Sequence, residues 1–303
     1  MKIKNKVLAY IFRDNNGVKE LLVFDHQDYP EVNSQVIAGT VEEGENFELA
    51  ISREIYEESG LMLDKLSYYL GQYTYYKKDA DEVQKRYVYV FNTSDLLDKW
   101  IHTVSVGQED KGLVFEYYWL AVNEAQKVLV SEMGNYLPEY FFESLNENNL
   151  MHLKKWLCNP HVKEFWDDRK AWEQLQIEYI SKISSKVVRP FIIYFQDIAI
   201  GYIQFYWASK VGNGWWENYP DDIVGIDIYI GEKKLINKGH GTKIIKEFMS
   251  YLQNNFQISK IVIAPSVNNF RAISCYEKCG FVVNKEIITP DGKELLMEYL
   301  CQI

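Results

Sequence analysis

The run from Gly39 to Leu61 constrains this chain more than any other stretch. It reads Gly39-Thr-Val-Glu-Glu-Gly-Glu45-Asn-Phe-Glu-Leu-Ala-Ile-Ser-Arg53-Glu54-Ile55-Tyr-Glu57-Glu58-Ser-Gly60-Leu61. Gly44 and Asn46 give way to a helical pattern with Phe47, Ala50, Ile51 and Ile55 on one face, and Ser59-Gly60 ends it as a glycine C-cap does. Glu54, Glu57 and Glu58 stand at i, i+3 and i+4, so three carboxylates meet along one edge of a single helix. Like charges so placed repel one another. A hard divalent cation such as Mg²⁺ removes the conflict and can bridge a substrate pyrophosphate. A solvated acidic face would account for a lone Glu-Glu pair, but not for the whole spaced pattern.

The segment resembles the Nudix hydrolase signature, G-x5-E-x7-R-E-U-x-E-E-x-G-U with U aliphatic, at every fixed position. From average residue usage, an accidental match in a chain this long is on the order of one in ten million. The resemblance implies a Nudix fold that hydrolyses a nucleoside diphosphate-linked substrate. Mg²⁺ or Mn²⁺ would be held by Glu54, Glu57, Glu58 and the Gly39 carbonyl. The three glutamates are then the catalytic set, and Arg53 and Glu45 brace the loop against the helix. Substrate identity belongs to loops outside the segment. Tyr73, Tyr75, Tyr76, Phe115 and Trp119 could stack a base, although aromatics in strands are more often core.

At 303 residues the chain has room for two ordinary domains, and with 47% apolar residues it can build a core for each. Residues 1–138 hold 14 Lys and Arg against 23 Asp and Glu, a balance of −9, and residues 139–303 hold 19 against 20, a balance of −1. Such a difference fits separate domains. The net charge of −10 argues against a nucleic-acid backbone binder. No apolar run approaches a membrane span, and Val7 to Phe12 is too short for a signal-peptide core, so a cytoplasmic protein is expected. Cys158, Cys275, Cys279 and Cys301 form no CxxC pair and read as free thiols, and the five histidines form no ligand pair. Gly134, Asn135 and Pro138 interrupt the pattern, which sets the expected domains at 1–136 and 137–303.

Mixed α+β architecture of the α/β sandwich type fits both halves. In the first, Lys6 to Phe12 and Glu20 to Phe24 read as strands around an Asn15-Asn16-Gly17 hairpin turn. Tyr68 to Tyr76 and Arg86 to Asn92 read as further strands, and Glu124 to Val130 as a closing helix. In the second, helices are expected over Asn149–Leu157, Ala171–Ile183, Thr242–Asn254 and Asn269–Lys278. Strands are expected over Phe191–Phe195, Ile198–Ala208, Ile223–Ile230, Lys260–Ala264 and Leu295–Leu300.

Two segments of the second half carry chemistry. Asn237-Lys238-Gly239-His240-Gly241-Thr242 stands just before a helix, where glycines let backbone amides approach an anion and the helix N-terminus adds partial positive charge. Asn269-x-x-Ala272-Ile273-x-x-Tyr276-x-Lys278-x-Gly280-Phe281 follows. Together they resemble the GNAT N-acetyltransferases, with Ile236 where that family usually has Gln or Arg. The resemblance implies a GNAT fold with acetyl-CoA held by Lys238, Gly239, His240, Gly241 and Thr242. It makes Asn269 the cap that bonds the pantetheine arm, and Tyr276 the general acid for the departing thiolate.

Further runs narrow the branch: Gly214-Trp215-Trp216-Glu217, Gly225-Ile226-Asp227, Pro265-Ser266-x-Asn268-Asn269-x-Arg271-Ala272-Ile273 and Thr289-Pro290-Asp291-Gly292, with Trp156, His161 and Trp166 upstream. These are similar to the aminoglycoside 6'-N-acetyltransferases. By that resemblance Asp227 removes a proton from the substrate ammonium, directly or through water, and Trp215, Trp216 and Glu217 shape the acceptor cleft. Charge agrees: from Val211 to Glu232 there are five carboxylates and no Lys or Arg, which suits a polycation. Asp227 also interrupts an apolar strand, which a solvated acidic loop does not explain. Three alternatives stay open: acetyl transfer to another amine, such as a polyamine or a protein N-terminus; a Nudix half that is a nucleotide-sensing or structural module; and a chain in which neither half is catalytic.

Overall fold

The computed structural model describes residues 2–15, 18–63, 66–93, 96–105, 110–166, 170–195, 198–211 and 219–301. Two compact units emerge, one over residues 1–139 and the other over Tyr140–Phe195 with Ala199–Ile303. No helix among the described residues is long and apolar enough to cross a membrane.

The first unit runs β1 (Lys2–Asn15), β2 (Val18–His26), β3 (Ala38–Thr40), α1 (Phe47–Ser59), β4 (Tyr68–Lys77), β5 (Glu82–Asn92), β6 (Lys99–Thr103), β7 (Val114–Ala121) and α2 (Val122–Val128). Its mixed sheet has the order β4-β5-β1-β2-β7-β6, with β3 paired to β1. β1 lies parallel to β5 from Lys2↔Glu82 to Phe12↔Asn92 and turns back on β2 through Asn15↔Val18. Asn16 and Gly17 of the expected turn lie outside the described residues. Val7 to Phe12 is buried throughout, as a strand covered on both faces must be. Val7, Ala9 and Ile11 pack with Ala50, Ile51 and Ile55 of α1. On the other face the Tyr10 hydroxyl donates to the Met133 carbonyl at 2.5 Å.

The second unit runs β8 (Tyr140–Ser144), α3 (Leu150–Leu157), α4 (Pro160–Lys163), α5 (Trp172–Ile183), β9 (Val188–Phe195), β10 (Ile198–Trp207), β11 (Ile223–Ile230), α6 (His240–Asn255), β12 (Lys260–Ile263), α7 (Phe270–Lys278), β13 (Val282–Thr289) and β14 (Gly292–Leu300). The sheet order is β13-β14-β12-β11-β10-β9-β8. One face carries Ile203, Phe205, Val224, Ile226, Ile261 and Ile263 against the apolar side of α6. That side is Ile244, Ile245, Phe248, Met249 and Leu252, at the spacing of one helical face.

One pairing positions the site. β11 and β12 are parallel, yet they stay in register for only Ile223↔Lys260, Val224↔Ile261 and Gly225↔Val262. β11 then continues to Ile230 with no β12 partner, so the sheet is split at Asp227. On the other side β11 remains paired to β10 along its length, through Gln204↔Asp227 and Tyr202↔Tyr229.

Candidate active sites

In the first unit, the Asn46 side chain caps α1 by accepting from the amides of Glu48 at 2.8 Å and Leu49 at 3.3 Å. Gly60 closes the helix at φ 73°, a left-handed conformation that glycine adopts without strain. Arg53 is the hub between loop and helix. Its Nε and Nη2 donate to the two oxygens of Glu45 at 2.8 and 2.9 Å, and Nη2 also reaches the Thr40 carbonyl at 3.1 Å. Glu45 in turn accepts from the Glu42 amide, and the Arg53 bonds hold its carboxyl below the usual range.

β3 crosses directly beneath the acidic edge of α1. A Cβ built on Gly39 would land inside the Glu54 carboxyl, so only glycine lets the backbone approach that group. Glu54 and Glu58 are both buried, and burial pushes both carboxyls up, with the nearby Glu54 adding to the rise at Glu58. One Glu58 oxygen, Oε2, is buried without a hydrogen-bond partner. Among the described residues no three His, Cys, Asp or Glu side chains gather tightly enough to hold a metal ion. Arg53 occupies the edge instead, donating to Glu54 at 2.8 Å and Glu57 at 3.4 Å. The orphaned Glu58 oxygen and the crowded Glu54–Glu58 pair are still the donor set a hard cation satisfies. Beside Glu58 lies a cavity of about 240 Å³ that also meets Lys6, Lys77 and Arg86, three cations in a unit whose net charge is strongly negative. Of the aromatics considered for base stacking, Phe115 and Trp119 are core. Tyr73 stacks on Tyr136 and Tyr76 bonds Asp81. Only Tyr75 and Phe115 reach the cavity, with the Arg86 guanidinium 4.0 Å from the Tyr75 ring.

In the second unit a cavity of about 1440 Å³ follows the split between β11 and β12. Gly239 precedes α6 at φ 86°, and Asn237 is also left-handed at 60°. This turn brings the first turn of a 16-residue helix to the cavity, which Gly239, Gly241 and Thr242 line. A Cβ on Gly241 would stand 3.2 Å from the Cys275 sulfur, so the loop is close-packed on α7 there. Lys238 is exposed and does not line the cavity. The His240 ring turns elsewhere, with Nδ1 2.6 Å from the Tyr140 hydroxyl and the ring against Phe195, so its share in the loop is its backbone. Asn269 caps α7 through the Ala272 amide at 3.2 Å and lines the cavity, as does Tyr276. Tyr276 is buried, and burial together with Cys275 and Asp227 keeps its phenol protonated far above the ordinary range.

Asp227 faces the same cavity from the sheet face opposite α6. Gln204 Nε2 donates to its Oδ2 at 2.7 Å, and Gln204 Oε1 accepts from Tyr202 at 2.6 Å and Lys182 at 3.3 Å. Burial pushes the Asp227 carboxyl up, with Asp291 reinforcing the rise and Gln204 and Lys182 opposing it. Trp166 packs edge-on against Tyr229 at 5.0 Å, and His161 Nε2 lies 3.1 Å from the Ile230 carbonyl; both line the cavity. Trp156 is fully buried under Gly231 and donates to Glu232, which makes it a structural residue. Trp215, Trp216 and Glu217 lie outside the described residues. Of the other acidic residues in that stretch, Asp221 accepts from Ser209 and Glu232 pairs with Lys155. Asp291 and Glu294 join Asp227 on the cavity wall. Glu294 was not singled out from the sequence, because only the β14 register carries it there.

Comparison with known proteins agrees with both geometries. The NUDIX domain family matches residues 2–140, and the acetyltransferase (GNAT) domain family matches residues 146–289. The aminoglycoside N(6')-acetyltransferase type 1 of Klebsiella pneumoniae is 37% identical over 158 residues, covering 50% of this chain and 79% of the relative. The human diphosphoinositol polyphosphate phosphohydrolase 3-beta is 32% identical over 126 residues, covering 42% of this chain and 69% of the relative. The solved structure of aminoglycoside acetyltransferase AAC(6')-Ib with coenzyme A and kanamycin superposes with a TM-score of 0.50 at 34% identity, covering 53% of this chain and 94% of that one. The chain therefore belongs to the NUDIX family through its first half and, through its second, to the GNAT acetyltransferases on the aminoglycoside 6'-N-acetyltransferase branch.

Proposed function

We propose that the second unit transfers acetyl from acetyl-CoA to the 6'-amino group of an aminoglycoside, and that the first is a metal-dependent Nudix hydrolase of a nucleoside diphosphate-linked substrate. The observation that carries the first proposal is the split sheet. Tyr276 and the α6 amides approach the cavity from one side, Asp227 from the other, and the gap between β11 and β12 joins them. Acetyl-CoA, when bound, supplies the activated acetyl thioester. The amides of Gly241 and Thr242 receive its pyrophosphate, and Asn269 the pantetheine arm. Asp227 takes the proton that an ammonium must lose before its nitrogen can attack, and Gln204 orients the receiving carboxylate. Tyr276 stays protonated and so can return a proton to the departing thiolate. The relative solved with coenzyme A and kanamycin supports this assignment of donor and acceptor.

For the first unit, a divalent cation would be held by Glu54, Glu57, Glu58 and the Gly39 carbonyl, supplying positive charge to a pyrophosphate. Arg53 must then yield the edge it now occupies while keeping its bidentate hold on Glu45. Lys6, Lys77 and Arg86 face the anionic substrate.

The test is thiol release from acetyl-CoA by the purified chain with kanamycin and other aminoglycosides. Release with a product acetylated at the 6' nitrogen is expected; no transfer to any aminoglycoside overturns the acceptor assignment. For the other half, a panel of nucleoside diphosphate derivatives with Mg²⁺ should yield at least one hydrolysed substrate.

A further inference from the structure

The acceptor side of the split sheet carries a carboxylate that neither the loop motif nor the base accounts for. Register fixes its place. Gln204 pairs with Asp227 and Gly225 with Val262, Val262 pairs with Glu298, and Ser266 bridges Glu294. Alternation then puts Tyr202, Gln204, Gly225, Asp227, Ser266 and Glu294 on one face, away from α6. Backbone bonds pin that end of β14: the Leu295 amide donates to the Pro265 carbonyl at 2.8 Å and the Val267 amide to the Lys293 carbonyl at 3.2 Å. Glu294 is therefore held by the sheet on the same face as Asp227, and both residues line the cavity.

The charged groups that act on it directly are acidic. Asp227 faces it from β11, Tyr206 from β10, Asp291 from the β13–β14 turn, and the Thr289 hydroxyl bonds it from β13. Lys182 bonds Gln204 and acts on Asp227 but not on Glu294, and Lys293 pairs with Glu286 at 2.5 Å. Among the described residues neither Asp291 nor Glu294 forms an ion pair. Burial, Asp291 and Asp227 push the Glu294 carboxyl up to about 7. A carboxylate kept in that state by its neighbours is relieved by a cation arriving from the cavity.

Resting on the acceptor assignment above, we propose that Glu294 determines specificity by supplying the counter-charge for a second ammonium of the acceptor, one that does not react, while Asp227 serves the amine that does. Two carboxylates on one face of the sheet, from different strands, then read two amines of one polycation. An acceptor arriving as a dication meets a partly protonated Glu294 and displaces its proton, so binding near neutral pH releases a proton to the buffer.

The experiment compares the full chain with Glu294→Gln on three acceptors: kanamycin, spermidine, and 6-amino-6-deoxyglucose as a single-amine control. Glu294→Gln should raise KM for the multi-amine acceptors at least about tenfold with little change in kcat, the lower end of what a hydrogen bond to a charged group contributes. With the single-amine acceptor its KM should stay within about twofold, well under 1.4 kcal/mol. Calorimetry in phosphate and in Tris should show proton release on kanamycin binding by the parent chain and none by the variant, and CoA binding by both confirms folding. Transfer to kanamycin with equal KM and equal proton release in parent and variant overturns the inference while leaving the acceptor assignment intact. Transfer to spermidine but to no aminoglycoside, with the Glu294→Gln effect present, overturns the acceptor assignment and upholds the inference.

Discussion

Asp227 is costly to the fold and, under the proposed function, necessary to the chemistry. Its folded carboxyl titrates above its unfolded value because burial disfavours the charge. The folded state therefore binds the proton more tightly, and stability falls as pH rises from the ordinary carboxylate range through the raised one. Asp227→Asn should remove that penalty: at pH 7 its melting temperature should equal or exceed that of the parent chain, while acetyl transfer falls by about 10²–10⁴-fold, the usual share of a general base. Differential scanning calorimetry and thiol release on the same preparation check both halves, and a variant that loses activity together with its fold would sink the assignment. The parent chain's transfer rate should fall on acidification at a pH above the ordinary carboxylate range, because only ionised Asp227 accepts a proton. Tyr276→Phe makes a separate case. The phenol lies far above neutrality, so this variant should lose kcat by about 10²-fold or more with the acid limb of the profile unchanged.

At the scale of elements, α1 shows which parts of a motif are structural and which are chemical. Asn46 only caps the helix, so Asn46→Ala should cost about 1 kcal/mol of unit stability and leave Nudix turnover at saturating metal largely intact. Gly39→Ala places a methyl inside the Glu54 carboxyl, and should abolish turnover even where the helix survives, as circular dichroism and hydrolysis assays would report. Equal loss from both variants would mean that the motif acts through folding alone. The helices and central strands were legible because their periodicity is strong: Phe47 to Ser59, the apolar face of α6, and the fully apolar core of β1. Edge and short strands were not. β13 exposes every side chain from Val282 to Glu286, so it offers no alternation to read, and β8 is a five-residue run just after the Gly134, Asn135 and Pro138 interruption, too short to show a period. Glu294 escaped for a related reason. It is one glutamate in a mixed segment, and its meaning comes from a register across four strands that no local pattern encodes. Asp227 was visible because a charge in an apolar strand is a local anomaly; its dependence on Gln204 was not.

At the scale of the whole molecule, each site is complete within its own unit. The Glu45–Arg53–Thr40 brace, Gly39 and the three glutamates all come from residues 39–58. The loop before α6, Asn269, Tyr276, Gln204, Asp227 and Glu294 all come from the unit that begins at Tyr140. Among the described residues, each cavity is lined by side chains of its own unit. The electrostatics differ as well: Lys6, Lys77 and Arg86 line the small cavity of the acidic first half beside Glu58 and Asp110, whereas Asp227, Asp291 and Glu294 gather at the acceptor side of the large cavity. The small cavity suits an anion and the acceptor side of the large one a polycation, so the Nudix substrate and the aminoglycoside should not compete. The two activities should therefore separate by substitution in the full chain. Glu57→Gln should reduce hydrolysis of a nucleoside diphosphate derivative by about 10²-fold or more, since it removes a charge from the site that must hold the cation, and should leave acetyl transfer to kanamycin within about twofold. Asp227→Asn should do the reverse. Both variants are measured in both assays, at saturating Mg²⁺ and acetyl-CoA. Loss of acetyl transfer in Glu57→Gln, with CoA binding retained, would show that the halves are energetically coupled and would overturn the independence argued from the composition of the two sites.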